Sequence, residues 1–214
     1  PGFYDKVIDL NNKDKNEILK GAIDVSDFKK SIGIKELYGD TDYSLTERVA
    51  TRPTLDVNGI YGGYTGEGSK TVLPSVAHAK ISMRLVPKQD WKEISELFKK
   101  YVLNFIPNSV TATIKTHHGA EPYVTPTNNT AYEAAILAYK KSFGVNPFQQ
   151  RGGGSIPIVP IFEKELGVKS ILMGFGLDSD SIHSPNEHFG LFNFFKGIET
   201  IVYFYEFYTN KINI

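Results

Sequence analysis

Between Ala77 and Leu85 apolar and polar residues alternate without a break. Ala77, Ala79, Ile81, Met83 and Leu85 share one face, and His78, Lys80, Ser82 and Arg84 share the other. Side chains of an extended backbone point to opposite sides in turn, so this run predicts a half-buried strand with a polar, partly cationic face. A helix follows almost at once. Trp91, Ile94, Leu97, Phe98, Tyr101, Val102, Phe105 and Ile106 fall on one stripe, with Asp90 placed to cap it and Pro107 to stop it. A second alternation sets Val110, Ala112 and Ile114 against Thr111, Thr113 and Lys115. An earlier strand is expected from Leu55 to Tyr61, ending at Gly62-Gly63 and leading into a glycine-rich loop, Tyr64 to Ser69. Strand, strand, helix and strand predict an α+β layer: an antiparallel sheet with helices on one face.

The flanks read differently. Residues 1–53 are polar and only weakly amphipathic, and predict a surface arm of short helices broken near Gly21, Gly33 and Gly39. Pro122 and Pro126 interrupt the pattern after Gly119 and suggest a boundary, which gives an arm (1–53), a sheet domain (54–121) and a last segment (122–214). The last segment predicts helices at about Thr130–Phe143, Ile156–Leu166 and Leu191–Tyr208. A short strand is expected near Phe148 and a buried one over Val168–Met173. Alternating helices and buried strands indicate an α/β layer, but two strands cannot form a parallel sheet covered on both faces. This segment therefore reads as incomplete by itself.

Charge and composition remove several functional classes. Lys plus Arg and Asp plus Glu both number 24, so the chain lacks the basic surplus of a nucleic-acid binder. No apolar run reaches the ~20 residues of a membrane span. Cysteine is absent, which excludes disulfides, a thiol nucleophile and thiolate metal ligands, and fits a cytoplasmic setting. The first residue is Pro1 rather than Met, as expected of a processed protein or a piece of a longer one.

Three constellations could carry chemistry. Arg151-Gly152-Gly153-Gly154-Ser155, followed by Ile156-Pro157, fits two descriptions: a tight loop capping a helix, or a backbone cradle for a carboxylate or phosphate. It lacks the ending of a P-loop and the spacing of a dinucleotide fingerprint. The run Asp178 to Glu187 follows the expected buried strand, where α/β proteins collect their sites. Its His183 is either a metal ligand or a polar loop residue, whereas His188 reads as structural. The polar strand face offers Arg84, whose planar fork suits a carboxylate, close in sequence to Thr71 at the end of the glycine-rich loop. His117-His118 reads as a surface turn, and the aromatic residues of the last helix, such as Phe194, Phe195 and Phe204, read as core.

The strings Arg52-Pro-Thr-Leu-Asp-Val-Asn-Gly, Gly62-Gly-Tyr-Thr-Gly-Glu-Gly-Ser-Lys-Thr-Val-Leu-Pro74 and Ile81-Ser-Met-Arg-Leu-Val-Pro87 resemble the lid domain of co-catalytic zinc peptidases, closest to the carnosinase and cytosolic nonspecific dipeptidase type. Gly153-Gly-Ser-Ile-Pro157, Leu172-Met-Gly-Phe-Gly176 and Ile182-His-Ser-Pro-Asn-Glu187 resemble the end of the same family's catalytic domain. The resemblance implies that His183 is the last ligand of a pair of zinc ions (or manganese), and that Gly154 and Ser155 meet the substrate's carboxylate end. It implies that Arg84 binds that same carboxylate and that Thr71 reaches the substrate across a homodimer interface built by the lid.

The His-x-Asp motif, bridging Asp, Glu-Glu pair and lid histidine of that family are missing from these residues. The resemblance therefore implies the C-terminal half of such an enzyme, with the general base upstream of Pro1. The expected parent is a zinc-dependent dipeptidase acting on short peptides through a metal-bridging water, with no turnover by this chain alone. Two alternatives stay open: a non-catalytic dimerisation or binding module, and a same-family amidohydrolase of N-acyl or N-carbamoyl amino acids.

Overall fold

A computed structural model describes residues 1–152 and 156–212. It divides into two compact units, Pro1–Tyr123 with Gln150–Pro160, and Val124–Gln149 with Ile161–Ile214.

The first unit opens with three short helices: α1 (Asn12–Leu19), α2 (Val25–Ser31) and α3 (Leu45–Thr51). Their sequences have little amphipathic drive, and each start is set by a side chain. Asn11, Asp24 and Ser44 accept backbone N–H groups of Asp14, Asp27 and Glu47 respectively. The cap of α3 is reciprocal, since the Glu47 carboxylate also accepts the Ser44 N–H at 2.9 Å. Glu47 is itself buried and takes the Lys15 ammonium of α1 at 2.7 Å. The Lys15 contact, with help from Ser44, pulls the Glu47 carboxyl down to about 2. Ile18 of α1 and Leu45 of α3 are buried in the same unit, so one ion pair and two apolar side chains organise the arm.

The strands β1 (Thr54–Gly62) and β2 (Ala77–Arg84) pair antiparallel. Thr54 stands opposite Arg84 and Val57 opposite Ile81, then a bulge at Asn58 shifts the register so that Gly59 meets Lys80 and Tyr61 meets His78. The Tyr61 and His78 rings stack with centroids 4.5 Å apart. The helix α4 (Trp91–Leu103) follows, capped by Asp90, whose carboxylate accepts the N–H groups of Lys92 and Glu93. Backbone donation by Glu93 holds the Asp90 carboxyl below its ordinary value. Ile94 is buried, Leu97 packs on Gly2, and Trp91 lies flat against Gly119, where an added Cβ would sit 2.3 Å from the indole.

In the second unit α5 (Thr130–Phe143) packs on α7 (Leu191–Ile212); α6 (Ile158–Leu166), between them in sequence, begins in the first unit and ends in the second. Ala134, Ala135 and Ala138 are buried on α5, small side chains that let the two helices approach closely. The segment before α7 is tied to both helices by hydrogen bonds from Tyr139 Oη to the Gly174 carbonyl at 2.9 Å and from Asn193 to the Phe175 carbonyl at 3.0 Å. Burial pushes the Tyr139 hydroxyl up to about 12.

The mixed α/β class, with its antiparallel sheet, holds, but several local expectations do not. The alternation of Ala77–Leu85 predicted one covered face; instead β2 is exposed along nearly its whole length on both faces. Alternation specifies which side chains share a face, and a second layer must lie on that face to bury it; α4 does not pack extensively on either strand. Residues 110–115, those near Phe148 and 168–173 form no strand. A strand needs a hydrogen-bonded neighbour, and among the described residues only β1 and β2 provide one for each other. The aromatic residues Phe194 and Phe195, expected in the core, are exposed.

Candidate functional site

The expected substrate residues of the first unit belong to the hairpin. Arg84 ends β2, exposed and opposite Thr54. Thr71 lies in the exposed connection between β1 and β2. That connection is organised by Tyr64, whose ring folds over Gly66 and whose hydroxyl donates to the Glu67 carbonyl at 3.1 Å. A side chain at residue 66 would begin 2.5 Å from the Tyr64 oxygen, so the ring keeps this place only while residue 66 is glycine. Lys70 Nζ sits 5.9 Å from the same ring, beside Thr71 in sequence. Gly154 and Ser155 lie outside the described residues. The residue leading into them is anchored: Arg151 pairs with Asp14 of α1 at 3.7 Å, next to a small recess bounded by Ile18, Thr46, Val49 and Ala50.

His183 belongs to the second unit and sits in a tightly wound connection. Ser181, His183 and Asn186 all adopt left-handed backbone, with φ of 55°, 63° and 64°. Each such non-glycine residue costs about 1 kcal/mol or more, and three within six positions mark a segment held by its surroundings. The holder is Asp180, buried at the end of a single 3₁₀ turn, Asp178–Asp180. Its carboxylate accepts the Leu177 N–H at 2.8 Å, and its carbonyl accepts the His188 N–H at 3.0 Å. The loop is thereby closed around residues 181–187 with the His183 side chain exposed. His188, expected to be structural, faces the Asp180 carboxylate at 3.9 Å. His117 and His118 are exposed, in a stretch with no assigned helix, strand or turn.

The donor set does not fit a two-ion metal centre by itself. Among the described residues no three His, Asp or Glu side chains converge on one point. The buried acid nearest His183 in sequence, Asp180, already spends its carboxylate on Leu177 and His188. One exposed imidazole is a single ligand, and a zinc site takes three or four.

Comparison with known proteins gives this geometry its context. Residues 7–110 match the model of the peptidase dimerisation domain. The matched stretch is similar to the dimerisation domain of M20 peptidases. Thr71 and Arg84 fall within it, and Arg151 and His183 fall beyond it. Over 97% of its length the chain is 31% identical to the Cys-Gly metallodipeptidase DUG1 of Candida albicans, of which it covers 44%. It superposes on an M20 family metallo-carboxypeptidase of Sulfolobus solfataricus with a TM-score of 0.84 at 34% identity, covering 97% of this chain and 47% of that one. Human carnosine dipeptidase 1 gives a TM-score of 0.83 at 25% identity, with 98% and 45% covered. The similarity thus runs through both units, and the chain spans less than half the length of these relatives.

Two organising features escaped the sequence reading. Asp180 is one of two acids in Asp178-Ser179-Asp180, and only a main-chain donor three residues earlier distinguishes it; a capping pattern searched in turns as well as helices would have found it. The Arg151–Asp14 pair joins positions too distant in sequence for any local signal.

Proposed function

We propose that this chain is part of a metal-dependent dipeptidase that hydrolyses short peptides carrying a free C-terminal carboxylate. The observation that supports this most is the similarity of both units, at once and over nearly their whole length, to metallodipeptidases. In this reading residues 54–121 form the lid through which two copies associate, the arm 1–53 supports it, and 122–214 belong to the catalytic domain. Arg84 receives the substrate carboxylate through its guanidinium fork, Ser155 and Gly154 meet the same end of the peptide, and Thr71 contributes its hydroxyl from the lid. His183 supplies one ligand to a pair of zinc ions whose other ligands, like the general base, come from polypeptide outside this chain. The wound loop closed by Asp180 serves to hold that imidazole in one orientation. The proposed setting is cytoplasmic; among the described residues no helix is long and apolar enough to cross a membrane.

The test is hydrolysis of a panel of dipeptides, N-acyl and N-carbamoyl amino acids by the complete, metal-loaded protein. Cleavage of dipeptides, abolished by chelation and restored by zinc, supports the reading. Preference for acylated or carbamoylated amino acids moves it to the amidohydrolases, and no cleavage of either class leaves a binding module.

A further inference from the structure

The connection between β1 and β2 is pinned along its path. At its neck Gly62 faces Ala77 across the ladder, so closely that a Cβ at residue 62 would lie 3.0 Å from both the Val76 carbonyl oxygen and the Ala77 Cα. One residue on, the Pro74 ring reaches to 3.8 Å from where a Cβ of Gly63 would sit. Next comes Tyr64. Its ring covers Gly66, its hydroxyl donates to the Glu67 carbonyl at 3.1 Å, and Lys70 Nζ sits 5.9 Å from the ring centre. Lys70 and Pro74 are thus held against two adjacent residues, Tyr64 and Gly63. Only Thr71, Val72 and Leu73 lie between those contacts, so they form a short arch with little slack. All three are exposed and belong to no helix or strand, so the contacts at the feet of the arch set its shape.

We infer that Tyr64 is a positioning residue for Thr71: seated on Gly66 and facing Lys70, it preforms the arch that presents the Thr71 hydroxyl. The inference deepens the dipeptidase reading and rests on it for what Thr71 touches, while Tyr64 itself acts only through the loop. Tyr64 is more than half exposed and adds little to the core of its unit, so what its ring organises is this connection. A hydroxyl on a loose loop must be ordered at each binding event, and that lost freedom weakens binding. A loop already folded over the Tyr64 ring has lost the freedom beforehand. The ring therefore contributes to substrate binding more than to the chemical step.

The test uses the complete, metal-loaded protein with dipeptide substrates. Tyr64→Ala should raise KM about tenfold with a smaller change in kcat, and Tyr64→Phe, which keeps the ring, should recover most of that loss. Gly66→Ala leaves the tyrosine in the chain but takes the seat of its ring. It should reproduce the Tyr64→Ala effect, and it replaces that variant should the first fail to fold. In a Thr71→Ala background Tyr64→Ala should add less than about twofold, because nothing is left to position. An undiminished penalty in that background, or an unchanged KM in both single variants, would overturn the inference. Trypsin cleavage after Lys70, followed by peptide mass spectrometry, reads the arch without any substrate. It should run about tenfold faster in Tyr64→Ala and Gly66→Ala than in the wild type. An equal rate overturns the inference whatever the hydrolysis shows. A wild-type protein that cleaves no dipeptide overturns the dipeptidase reading alone, and the trypsin comparison then decides whether Tyr64 holds the arch.

Discussion

The Ser142 and Thr200 hydroxyl oxygens lie 2.6 Å apart where α5 meets α7, and Thr200 is wholly enclosed. Each also reaches the carbonyl four residues back in its own helix, Ala138 and Lys196, at 2.9 and 2.6 Å. Ser142 also approaches the Tyr139 carbonyl at 3.3 Å, so two protons serve four contacts. Removing one hydroxyl leaves the other with a poorer partner in a dry interface. Ser142→Ala and Thr200→Val are each expected to cost about 1 kcal/mol in urea unfolding, and the double substitution less than their sum. Full additivity would show that the hydroxyls are not coupled.

Acid stability should depend on Glu47. Its carboxyl is lowered from 4.5 to about 2, so the folded state holds the ionised form more tightly than the unfolded chain does. The resulting stability is complete above pH 4.5 and is lost as pH falls towards 2. With Lys15 half exposed, a contribution of about 1–2 kcal/mol is expected rather than the full shift. Glu47→Gln should lower the melting temperature at pH 7 and flatten its decline between pH 4.5 and 2, measured by circular dichroism. An unchanged acid profile would count against the ion pair.

Gly119→Ala tests the seat of α4. The new methyl would overlap the Trp91 indole at 2.3 Å, so the ring or the chain at residue 119 must move to relieve it. A loss of about 1–3 kcal/mol is expected. Trp91 is the sole tryptophan, so a red shift of its emission should accompany the loss. Wild-type emission and stability together would place Gly119 away from the ring.

On the proposed dipeptidase reading, Arg84→Lys in the complete protein should raise KM for a dipeptide at least tenfold with a smaller change in kcat. A point charge replaces a fork but chemistry elsewhere is untouched. His183→Ala should instead lower zinc content and kcat together. Substitutions without effect on either parameter would remove both residues from the site.

The 214-residue chain by itself is expected to hydrolyse no dipeptide even with added zinc, since one imidazole cannot make a three- or four-ligand site. Zinc-dependent turnover above a buffer blank would refute this.

The legible parts of the fold were those with local causes. The Asp90 cap and the 3.6-residue stripe placed α4, because the partners lie within one or two turns. The hairpin β1–β2 was legible in its strands, while its bulge at Asn58 was not, since a bulge depends on which register the partner offers. Arg84, Thr71 and His183 were picked out as expected site residues through their strings. The winding of residues 181–186 was invisible, because it follows from one buried carboxylate, Asp180, gripping the turn from within.

What the residues determined unaided was therefore the set of helices and the two-strand hairpin, through capping side chains and apolar periods that act over a few positions. Tertiary structure decided which apolar faces are covered. Residues 110–115 and 168–173 carry the composition of strands without forming them, and Phe194 and Phe195 of α7 read as core without being buried. The reason is physical: periodicity states what a face could bury, but burial and strand pairing require a second surface, and for those faces none is found among the described residues.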